Sequence, residues 1–426
     1  MGKMMNSKYV LSITFGDYKS TNGGVAKVVS THQRMFNEKG ISYICIYPFN
    51  LSNSVHKTHN TYWGVIIDGV YDSVCSTNML LNRLAKLSTM DKLCECVHIH
   101  HLLYIDVSEL SKVLECVNSK IYFYLHDYYT ICTSTKLIGE DGQLCDGNFL
   151  SGPRCKECKY YTDSVTFKEV FEHFVSTVDS RMTFIAPSDA CKKWFLRQYR
   201  DYSENVVVVY HQTLEGDYMI PSKSDSVIRI GYVGVPIAAK GWNQFKRLNE
   251  IYKDNKNYEF VYFSSVIDNS VNIKHITVDF QQSLTAMQDA LRNEKIDYVI
   301  LWSVWPETYS YTYYESYSAG CSIITNKDSG NMSDQVERMD SGLVLSEEQL
   351  IHYFSCYENA YNYRCKYIKE KKIVSAVLKE NDKIIEMSNC VPTRVKFEQH
   401  MSCTEMIKSM ALKELYSFKL KLKKRR

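Results

Sequence analysis

The sequence lacks the features that mark a membrane-spanning, secreted or nucleic-acid-binding chain. No apolar run approaches the ~20 residues that a membrane-spanning helix needs. The start, Met1–Lys8, leads straight into an apolar run without a small-residue cleavage site, so we expect no signal peptide. Lys and Arg number 51 against 48 Asp and Glu, and the resulting net charge of +3 argues against wholesale nucleic-acid binding. We therefore expect a cytoplasmic protein with no nucleic-acid partner.

The length and composition indicate a globular chain of two domains. At 426 residues and 49.5 kDa, the chain exceeds one ordinary domain and suits two domains of about 150–200 residues each. Hydrophobic residues make up 45% and charged residues 23%, which is typical of a folded protein rather than a disordered one. Fifteen cysteines without a secretory signal point to a reducing compartment, with thiols that are free or metal-bound.

Short apolar, β-rich runs alternate with amphipathic segments of helical length along most of the chain. Such continuous apolar runs suit parallel strands that are buried on both faces, with the helices as crossovers. The predicted strands are Tyr9–Phe15, Ser42–Tyr47, Cys96–His101, Lys120–His126, Met182–Ala186, Val206–Tyr210, Val227–Val233, Phe260–Phe263, Tyr298–Trp302 and Cys321–Thr325. The predicted helices are Val25–Glu38, Trp242–Tyr252, Leu284–Arg292 and Tyr311–Ala319. This pattern predicts an α/β protein with two Rossmann-like, doubly wound domains that face each other.

The polar stretch around Gln212–Ser226, with Gly216 and Pro221, separates the two alternating sets. We therefore expect an N-terminal domain over residues 1–212, with a cysteine-containing insertion at about 130–160. A linker over 213–226 leads to a C-terminal domain over 227–395. Residues 396–426 form a C-terminal helix, predicted at Glu398–Leu422, and a basic tail.

Two loops at predicted strand ends suit an anionic ligand, because ligands of open α/β sheets bind where strands lead into helix N-termini. The first ends in Gly23 and Gly24, and adjacent glycines let backbone N–H groups approach a ligand closely. The second places Lys240 just before a helix, where its charge can hold a diphosphate. The first loop has neither the dinucleotide-binding Gly-x-Gly-x-x-Gly nor the P-loop Gly-Lys-Ser/Thr, and taken alone it is also compatible with an ordinary turn. Lys240 taken alone is also compatible with an exposed lysine at a helix start, which is common.

A third loop carries two glutamates that are eight residues apart. Glu307 falls in the loop after a predicted strand, and Glu315 falls in the helix that follows. Between them, the amides around Thr308–Tyr311 belong to an open helix N-terminus, which is a ready anion site. Carboxylates on either side of these amides would bind hydroxyl groups rather than phosphate. The alternative is a Glu307 that only favours the helix dipole and a Glu315 that faces solvent.

At these residues the sequence resembles the retaining GT-B glycosyltransferases of the family 4 type. The similarity covers nearly the whole chain in the expected order, and its pieces are Gly23-Gly24, His126-Asp127, Pro187-Ser188, Lys240-Gly241 and Glu307-x7-Glu315. No single piece is specific, but the ordered set is. The stretch from His126 to Cys132, with its downstream cysteines, is similar to members that build bacterial surface polysaccharides such as O-antigen or capsule.

The resemblance implies a role for each matching residue. The catalytic set would be Glu307 on the donor sugar's hydroxyls, Lys240 on the diphosphate leaving group and His126 at the donor sugar or the reacting centre. Glu315 would contact the nucleotide ribose. The implied donor-binding residues are Gly23, Gly24, Lys240, Glu307, Thr308, Tyr309, Ser310, Tyr311 and Glu315. Such enzymes need no metal for transfer, and accordingly the sequence has no Asp-x-Asp.

One position departs from the family pattern. Members usually carry an arginine directly after the glycine that ends the first strand of the second domain. Here Gly234 is followed by Val235 and Pro236, so a bidentate phosphate partner is missing. Either Lys240 alone or an arginine elsewhere in the chain then binds the phosphate. The other alternative is weak or altered donor binding.

Four cysteines fall in the predicted insertion, with the spacing Cys132-x12-Cys145-x9-Cys155-x2-Cys158. The last two have the knuckle spacing of a structural zinc site, and all four would complete a tetrahedral ligand set. A metal held by four cysteines would be structural, because it keeps no open position for catalysis. The alternative is a set of unrelated thiols.

The C-terminus is basic. Lys408–Arg426 contains eight Lys or Arg residues against Glu414 alone, a local charge of 8 − 1 = +7, so the rest of the chain carries 3 − 7 = −4. Its mixture of apolar and basic positions suits attraction to an anionic membrane surface, which would be useful for a lipid-linked acceptor. The alternative is a solvated C-terminus without a partner.

The sequence therefore predicts a retaining hexosyltransferase that moves a sugar from a nucleotide-sugar donor to a glycan or lipid-linked glycan. It would be cytoplasmic or peripheral on the inner face of the membrane. Two alternatives stay open: a nucleotide-sugar epimerase or phosphorylase on the same scaffold, and a non-catalytic protein that holds nucleic acid through its cysteine knuckle and basic tail.

Overall fold

The computed structural model of the protein describes residues 5–21, 23–49, 62–145, 147–216, 218–219, 225–278, 283, 285–370, 372–373, 377–398 and 403–423. Within these residues, strands alternate with helices, and most of the strands form two large sheets. No described helix combines the length and the apolar character that crossing a bilayer requires.

The strands of the structure, in chain order, are β1 Lys8–Ile13, β2 Ser42–Pro48, β3 Trp63–Ile67, β4 Val70–Cys75, β5 Leu93–Ile99, β6 Lys120–Tyr124, β7 Met182–Ala186, β8 Val206–Val208, β9 Gln212–Glu215, β10 Tyr218–Met219, β11 Ile228–Val233, β12 Tyr258–Ser264, β13 Lys274–Thr277, β14 Tyr298–Ile300, β15 Ser322–Thr325, β16 Gly342–Val344, β17 Lys372–Ile373 and β18 Val377–Glu380.

The helices, in chain order, are α1 Gly24–Glu38, α2 Thr77–Thr89, α3 Val107–Cys116, α4 Pro153–Lys156, α5 Tyr161–Val178, α6 Asp189–Gln198, α7 Trp242–Tyr252, α8 Ala286–Asn293, α9 Tyr311–Ser318, α10 Asn331–Met339, α11 Glu347–Ser355, α12 Tyr357–Glu370, α13 Lys383–Met387 and α14 Cys403–Lys423. Short 3₁₀ turns lie at Asp179–Arg181, Arg200–Asn205 and Ala238–Lys240.

The first sheet has the strand order β4-β3-β2-β1-β5-β6-β7-β8. Its strands run parallel except at β3, which pairs antiparallel with both β2 and β4. Both faces are buried, because alternate residues of β1 enter opposite cores: Leu11 packs with α2, α3 and α5, whereas Val10 packs with α1 and α13. This is the doubly wound arrangement that continuous apolar strands predict.

The second sheet has the order β13-β12-β11-β14-β15-β16, and all its strands are parallel. Here too each face has its own core. Val299 of β14 packs with α8, α9 and α10, while its neighbours Tyr298 and Ile300 pack with α7 and α11. The chain therefore folds into two Rossmann-like halves.

The predicted strands are all present, with ends that shift by up to a few residues. The helix predicted from Leu284 begins at Ala286, and Leu284 itself lies outside the described residues. The hairpin β3–β4 and the edge strands β13 and β16 were not predicted. β4, β13 and β16 are edge strands and have less of the continuous apolar run that identifies a central strand, whereas β3, with the sequence WGVII, is apolar and buried although it lies next to the edge.

The two crossings between the halves run side by side. The predicted linker 213–226 contains the end of β9, which pairs antiparallel with β18, and it contains β10, which pairs antiparallel with β17. Residues 217 and 220–224 of this linker lie outside the described part. The outgoing chain is thus tied to the returning chain by a short ladder rather than crossing as free coil.

The predicted end of the C-terminal domain at residue 395 is wrong. The chain has already returned to the first half by Ile384, which packs in that half's core. Ser388 lies 3.1 Å from His98 Nε2, and the Thr393 amide donates to the Cys94 carbonyl at 2.8 Å. Residues 381–395 have no apolar periodicity that would assign them to either sheet, and their few apolar side chains fill the first core.

The final helix α14 lies against the first sheet. Ser409 donates to the Val74 carbonyl, and the Tyr416 hydroxyl donates to Asp17 Oδ2 at 2.6 Å. The helix was predicted over Glu398–Leu422, of which 399–402 lie outside the described residues. The basic positions Lys424, Arg425 and Arg426 also lie outside them.

Candidate active site

The predicted site residues follow the carboxyl ends of strands in both halves. Gly23 follows β1, His126 follows β6, Lys240 follows β11, and Glu307 follows β14. In a parallel sheet, these ends lie along one edge, and ligands bind there. Direct contacts between residues of the two halves show that the two edges meet.

Lys240 is held in place by the glycine that follows it. Gly241 adopts φ 79°, and a Cβ at this position would collide with the carbonyl oxygen of Trp302, so no other residue fits. The Val304 amide donates to the Ala239 carbonyl at 3.2 Å, which ties the same turn to the loop after β14. Lys240 therefore projects from a turn that is packed against the strand leading to Glu307.

Glu307 is buried beside Lys240. The Lys240 Nζ lies 4.0 Å from Glu307 Oε1, and the lysine side chain is 44% exposed against 11% for the glutamate. The backbone of Glu307 forms a bridge with Gly330 and accepts from the Asn331 amide at 2.9 Å. Burial raises the pKa of the Glu307 carboxyl above its ordinary value, and the charge of Lys240 opposes that shift.

Lys136, in the cysteine-containing insertion of the first half, also acts on Glu307. After Lys240, it is the second cation whose charge opposes the rise in the pKa of Glu307. Its neighbours Thr135 and Leu137 have φ of 64° and 56°, a conformation that side chains with a Cβ rarely adopt. Lys136 was not predicted from the sequence, because nothing local to residue 136 shows which loop of the other half it meets.

The segment between the two glutamates connects the halves. The Thr308 hydroxyl donates to the His126 carbonyl at 2.6 Å, and Ser188 donates to the Thr308 carbonyl at 2.6 Å. Ser310 is the N-cap of α9, and its Oγ accepts from the Tyr313 amide at 3.3 Å. The first amides of α9 are thus placed at the junction of the two halves, with Tyr309 and Tyr311 on either side of the cap.

Glu315 meets a lysine of the opposite half. Lys27 Nζ of α1 lies 3.4 Å from Glu315 Oε1, and the same ammonium lies 4.0 Å from the centre of the Tyr311 ring. Glu315 is 1% exposed, so the prediction's alternative of a solvent-facing glutamate is excluded. Among the described residues, its second oxygen Oε2 is buried without a hydrogen-bond partner. A buried carboxylate oxygen of this kind is available to a ligand donor.

Gly23 and Gly24 begin α1 one turn before Lys27. A Cβ on either glycine would meet no atom within 4 Å, so the loop faces open space. Gly23 is the N-cap of the helix and offers no side-chain cap. The start of α1 therefore has backbone amides without a side-chain cap, one turn before Lys27.

His126 is part of a buried histidine network. Its Nε2 lies 2.9 Å from His100 Nδ1, and its ring stacks on Tyr124. Burial lowers the pKa of His126 well below its ordinary value, with nearby His211 as the next cause, so the ring is neutral at physiological pH. His126 can therefore donate or accept one hydrogen bond, but it does not supply positive charge.

One group of three histidines has nitrogens within 4.8 Å of one another: His32, His98 and His100. Burial lowers the pKa of all three, which favours the neutral form that metals bind. However, both ring nitrogens of His98 and of His100 already have hydrogen-bond partners, and these partners are Tyr124, Ser388, Tyr43 and His126. These partners account for His98 and His100 without a metal, whereas His32 Nδ1 is buried and, among the described residues, has no hydrogen-bond partner.

The four insertion cysteines lie around one small pocket. Cys132, Cys145, Cys155 and Cys158 all contribute to its wall. The Leu150 amide donates to Cys155 Sγ at 3.2 Å. Within the described residues, no three of these sulfurs lie within 4.8 Å of one another. The four cysteines therefore share a pocket, but their sulfurs are farther apart than the ligands of one bound zinc ion would be.

No protein-family model matches the sequence, and no curated protein matches it. Among solved structures, the chain is similar to the catalytic domain of starch synthase IV from Arabidopsis thaliana bound to ADP and acarbose. The TM-score is 0.51 and the identity 13%, over 90% of this chain and 98% of that chain. It also matches HepE from Anabaena in complex with UDP and glucose, with TM-score 0.47, 12% identity, and coverage of 89% and 98%.

At these identities, the similarity shows the fold alone. The two Rossmann-like halves of this chain are arranged as in the GT-B fold, and the match extends over most of its length. This agrees with the fold that the ordered motifs predicted. What the site does must be argued from its own residues.

Proposed function

We propose that the protein is a glycosyltransferase that moves a hexose-type sugar from a nucleotide-sugar donor to a glycan or lipid-linked glycan, with retention of anomeric configuration. Bacterial surface polysaccharide, such as O-antigen or capsule, is the product class we infer from the sequence resemblance. The starch synthase structure contains ADP, which is consistent with a nucleoside diphosphate leaving group.

The observation that carries this proposal is the pair of buried glutamates, one before α9 and one within it, with the start of that helix between them in the chain. Glu307 and Glu315 are each buried and each face a lysine, and the first amides of α9 lie between them. Carboxylates accept hydrogen bonds from hydroxyls, whereas the amides and Lys240 attract phosphate. Glu307 would accept hydrogen bonds from the hydroxyls of a sugar, and Glu315 from those of a ribose. The amides and Lys240 would bind the diphosphate that links the two.

In the proposed reaction, the anomeric C–O bond to the β-phosphate breaks and a C–O bond to an acceptor hydroxyl forms on the same face. The proton of that hydroxyl passes to an oxygen of the departing diphosphate, so the products are a glycoside and a nucleoside diphosphate. Lys240 and the α9 amides stabilise the negative charge that grows on the diphosphate, and electrostatic stabilisation of this kind usually lowers the barrier more than any other effect. Lys136 adds a second positive charge from the first half, where we propose that the acceptor binds.

In this scheme His126 stays neutral and acts through a hydrogen bond to the substrate. With Nε2 directed at His100, its Nδ1 is the ring nitrogen left for the donor sugar or the acceptor hydroxyl. Glu307 and Glu315 recognise hydroxyls and form no covalent bond. No metal is required at this site, because lysines and amides carry the charge.

Acceptor-dependent release of nucleoside diphosphate tests the proposal. A panel of nucleotide-sugars is first screened for thermal stabilisation, since a ligand that binds the native state raises its stability. With the selected donor, Lys240→Ala and Glu315→Ala should each lower transfer at least about tenfold, or about 1.4 kcal/mol of barrier. Lys253→Ala, at the exposed far end of the helix that follows Lys240, should leave transfer unchanged. Near-normal transfer in both site variants would refute the assignment.

The same assay separates the alternatives. An epimerase converts the donor without a saccharide acceptor, and a phosphorylase needs inorganic phosphate. A nucleic-acid-binding protein would instead show affinity that falls steeply with salt. Donor consumption that requires a saccharide acceptor excludes all three.

Two binding features accompany this proposal. We propose that Cys132, Cys145, Cys155 and Cys158 hold a structural zinc, supported by the pocket that they share. We also propose that α14 and the basic tail dock on an anionic membrane surface. The outward side chains Ile407 and Met410 are 66% and 69% exposed, which gives that helix apolar positions beside its lysines.

A further inference from the structure

Lys27 stands where a lysine is electrostatically unfavourable. It lies in the first turn of α1, and the positive end of the helix dipole disfavours a cation there. Its side chain is only 30% exposed, so it is also partly removed from water. Two of its contacts are with Glu315 and Tyr311, which both belong to α9 in the opposite half. These two favourable interactions depend on the two halves being close together.

Glu315 has one oxygen engaged and one oxygen available. Oε1 faces Lys27 at 3.4 Å, while Oε2 is buried and, among the described residues, has no hydrogen-bond partner. An ionised carboxylate at 1% exposure is costly unless both oxygens are satisfied. Lys27 satisfies the first oxygen from across the cleft. A ligand that donates hydroxyl hydrogens would satisfy the second.

We propose that Lys27 is a positioning residue that reaches from α1 to hold Glu315 as a carboxylate, so that its free oxygen binds nucleotide ribose only when the two halves are closed. This inference rests on the proposed function, since the ribose belongs to the nucleotide-sugar donor. It couples recognition of the nucleoside to closure of the cleft. An open cleft would leave Glu315 without its cation and weaken its hold on the ligand.

Lys27 is the residue near Glu315 whose positive charge favours the ionised carboxylate. Burial raises the pKa of Glu315, and the causes that oppose the rise are the charge of Lys27 and its hydrogen bond. The other titratable groups that face this pair are Tyr309, Tyr311, His211 and Glu380. Burial lowers the pKa of His211 to about 3, so this ring is neutral. Glu380 is paired with Arg34 at 2.5 Å.

The test is the pH dependence of nucleotide binding by the full-length protein. Titration calorimetry with UDP, ADP and GDP between about pH 5 and pH 8 gives the midpoint at which affinity is lost on acidification. Lys27→Met should move that midpoint to higher pH, with affinity falling about tenfold per pH unit below it. Lys27→Arg should restore the wild-type midpoint. Lys39→Met, at the exposed end of the same helix, should match the wild type.

Each outcome bears on a different statement. If the wild type binds a nucleoside diphosphate and Lys27→Met weakens binding equally at every pH, Lys27 does not hold Glu315 ionised and the inference is overturned, while the proposed function stands. If the wild type binds none of the three nucleotides, the proposed function fails and this inference fails with it. If the Glu315→Gln background still shows the midpoint shift caused by Lys27→Met, another group titrates and the inference is again overturned.

Discussion

The hydroxyl of Thr308 donates a 2.6 Å hydrogen bond to the backbone carbonyl of His126, and this contact joins the loop after β14 to the end of β6 in the other half. Ser188 adds a second contact, to the carbonyl of Thr308 itself. The start of α9 is therefore fixed relative to the first sheet at two points. Residues that are far apart in sequence thereby share one site.

Replacing Gly241 with alanine should displace Lys240. The φ of 79° is strained for alanine, and the new Cβ would collide with the carbonyl of Trp302. We expect a loss of about 1–3 kcal/mol in the free energy of unfolding and a lower affinity for nucleoside diphosphate. Denaturant unfolding and calorimetry measure the two effects.

Gly16→Ala is the matched control for Gly241→Ala. A Cβ at Gly16 meets no atom within 4 Å, and this glycine has no positive φ. Its unfolding free energy should stay within about 0.5 kcal/mol of the wild type. Equal behaviour of the two variants would show that the turn at Gly241 is not rigid.

Glu307→Gln should stabilise the protein at neutral pH while it lowers transfer. Burial raises the pKa of Glu307 in the folded state, so the folded protein binds that proton more tightly than the unfolded chain does. Wild-type stability therefore rises as the pH falls through the folded pKa toward the unfolded value. At neutral pH the variant should be more stable by about 1 kcal/mol, because it buries an amide instead of a charge.

The gap between Glu307→Gln and the wild type should shrink on acidification, which denaturant unfolding at several pH values measures. Glu204→Gln, at an exposed position, should show no such pH-dependent difference. A constant gap at all pH values would mean that Glu307 is not the group whose ionisation is penalised.

The insertion should contain one zinc ion per chain. Metal analysis of protein purified without chelator should find it, and Cys155→Ser with Cys158→Ser should remove it and lower the thermal midpoint, since a bound metal stabilises the fold. Cys365→Ser, an exposed thiol in the other half, should keep the metal. Wild-type protein without zinc would reduce the four cysteines to ordinary thiols.

Deleting Lys419–Arg426 should weaken sedimentation with anionic vesicles at least about tenfold, because each basic side chain near such a surface contributes about 1 kcal/mol. Ile407→Asp with Met410→Asp should weaken it further by removing the apolar contacts. Val391→Asp, at a position that is 87% exposed outside α14, is the control. Binding that survives both changes would place the membrane contact elsewhere or exclude it.

Much of the fold could be predicted from local patterns. The strands Lys120–Tyr124 and Met182–Ala186 are largely apolar because both faces of a central parallel strand are buried. The hairpin β3–β4 was missed although its two-residue turn, Asp68-Gly69 at φ 49° and 78°, is a local hairpin signal. The return of the chain before Ile384 was also missed, because a few apolar residues reveal burial but not the core in which they are buried.

The sequence by itself determined the alternating elements, the loops at the strand ends and the types of side chain that they carry, including Lys240, Glu307 and Glu315. These follow from apolar periodicity and from the placement of glycine and charge next to it, which are local properties. Only the tertiary structure decided that Lys27 meets Glu315 and that Lys136 approaches Glu307. Such pairings depend on how two separately formed sheets pack, and the energy of that packing is spread over many distant contacts.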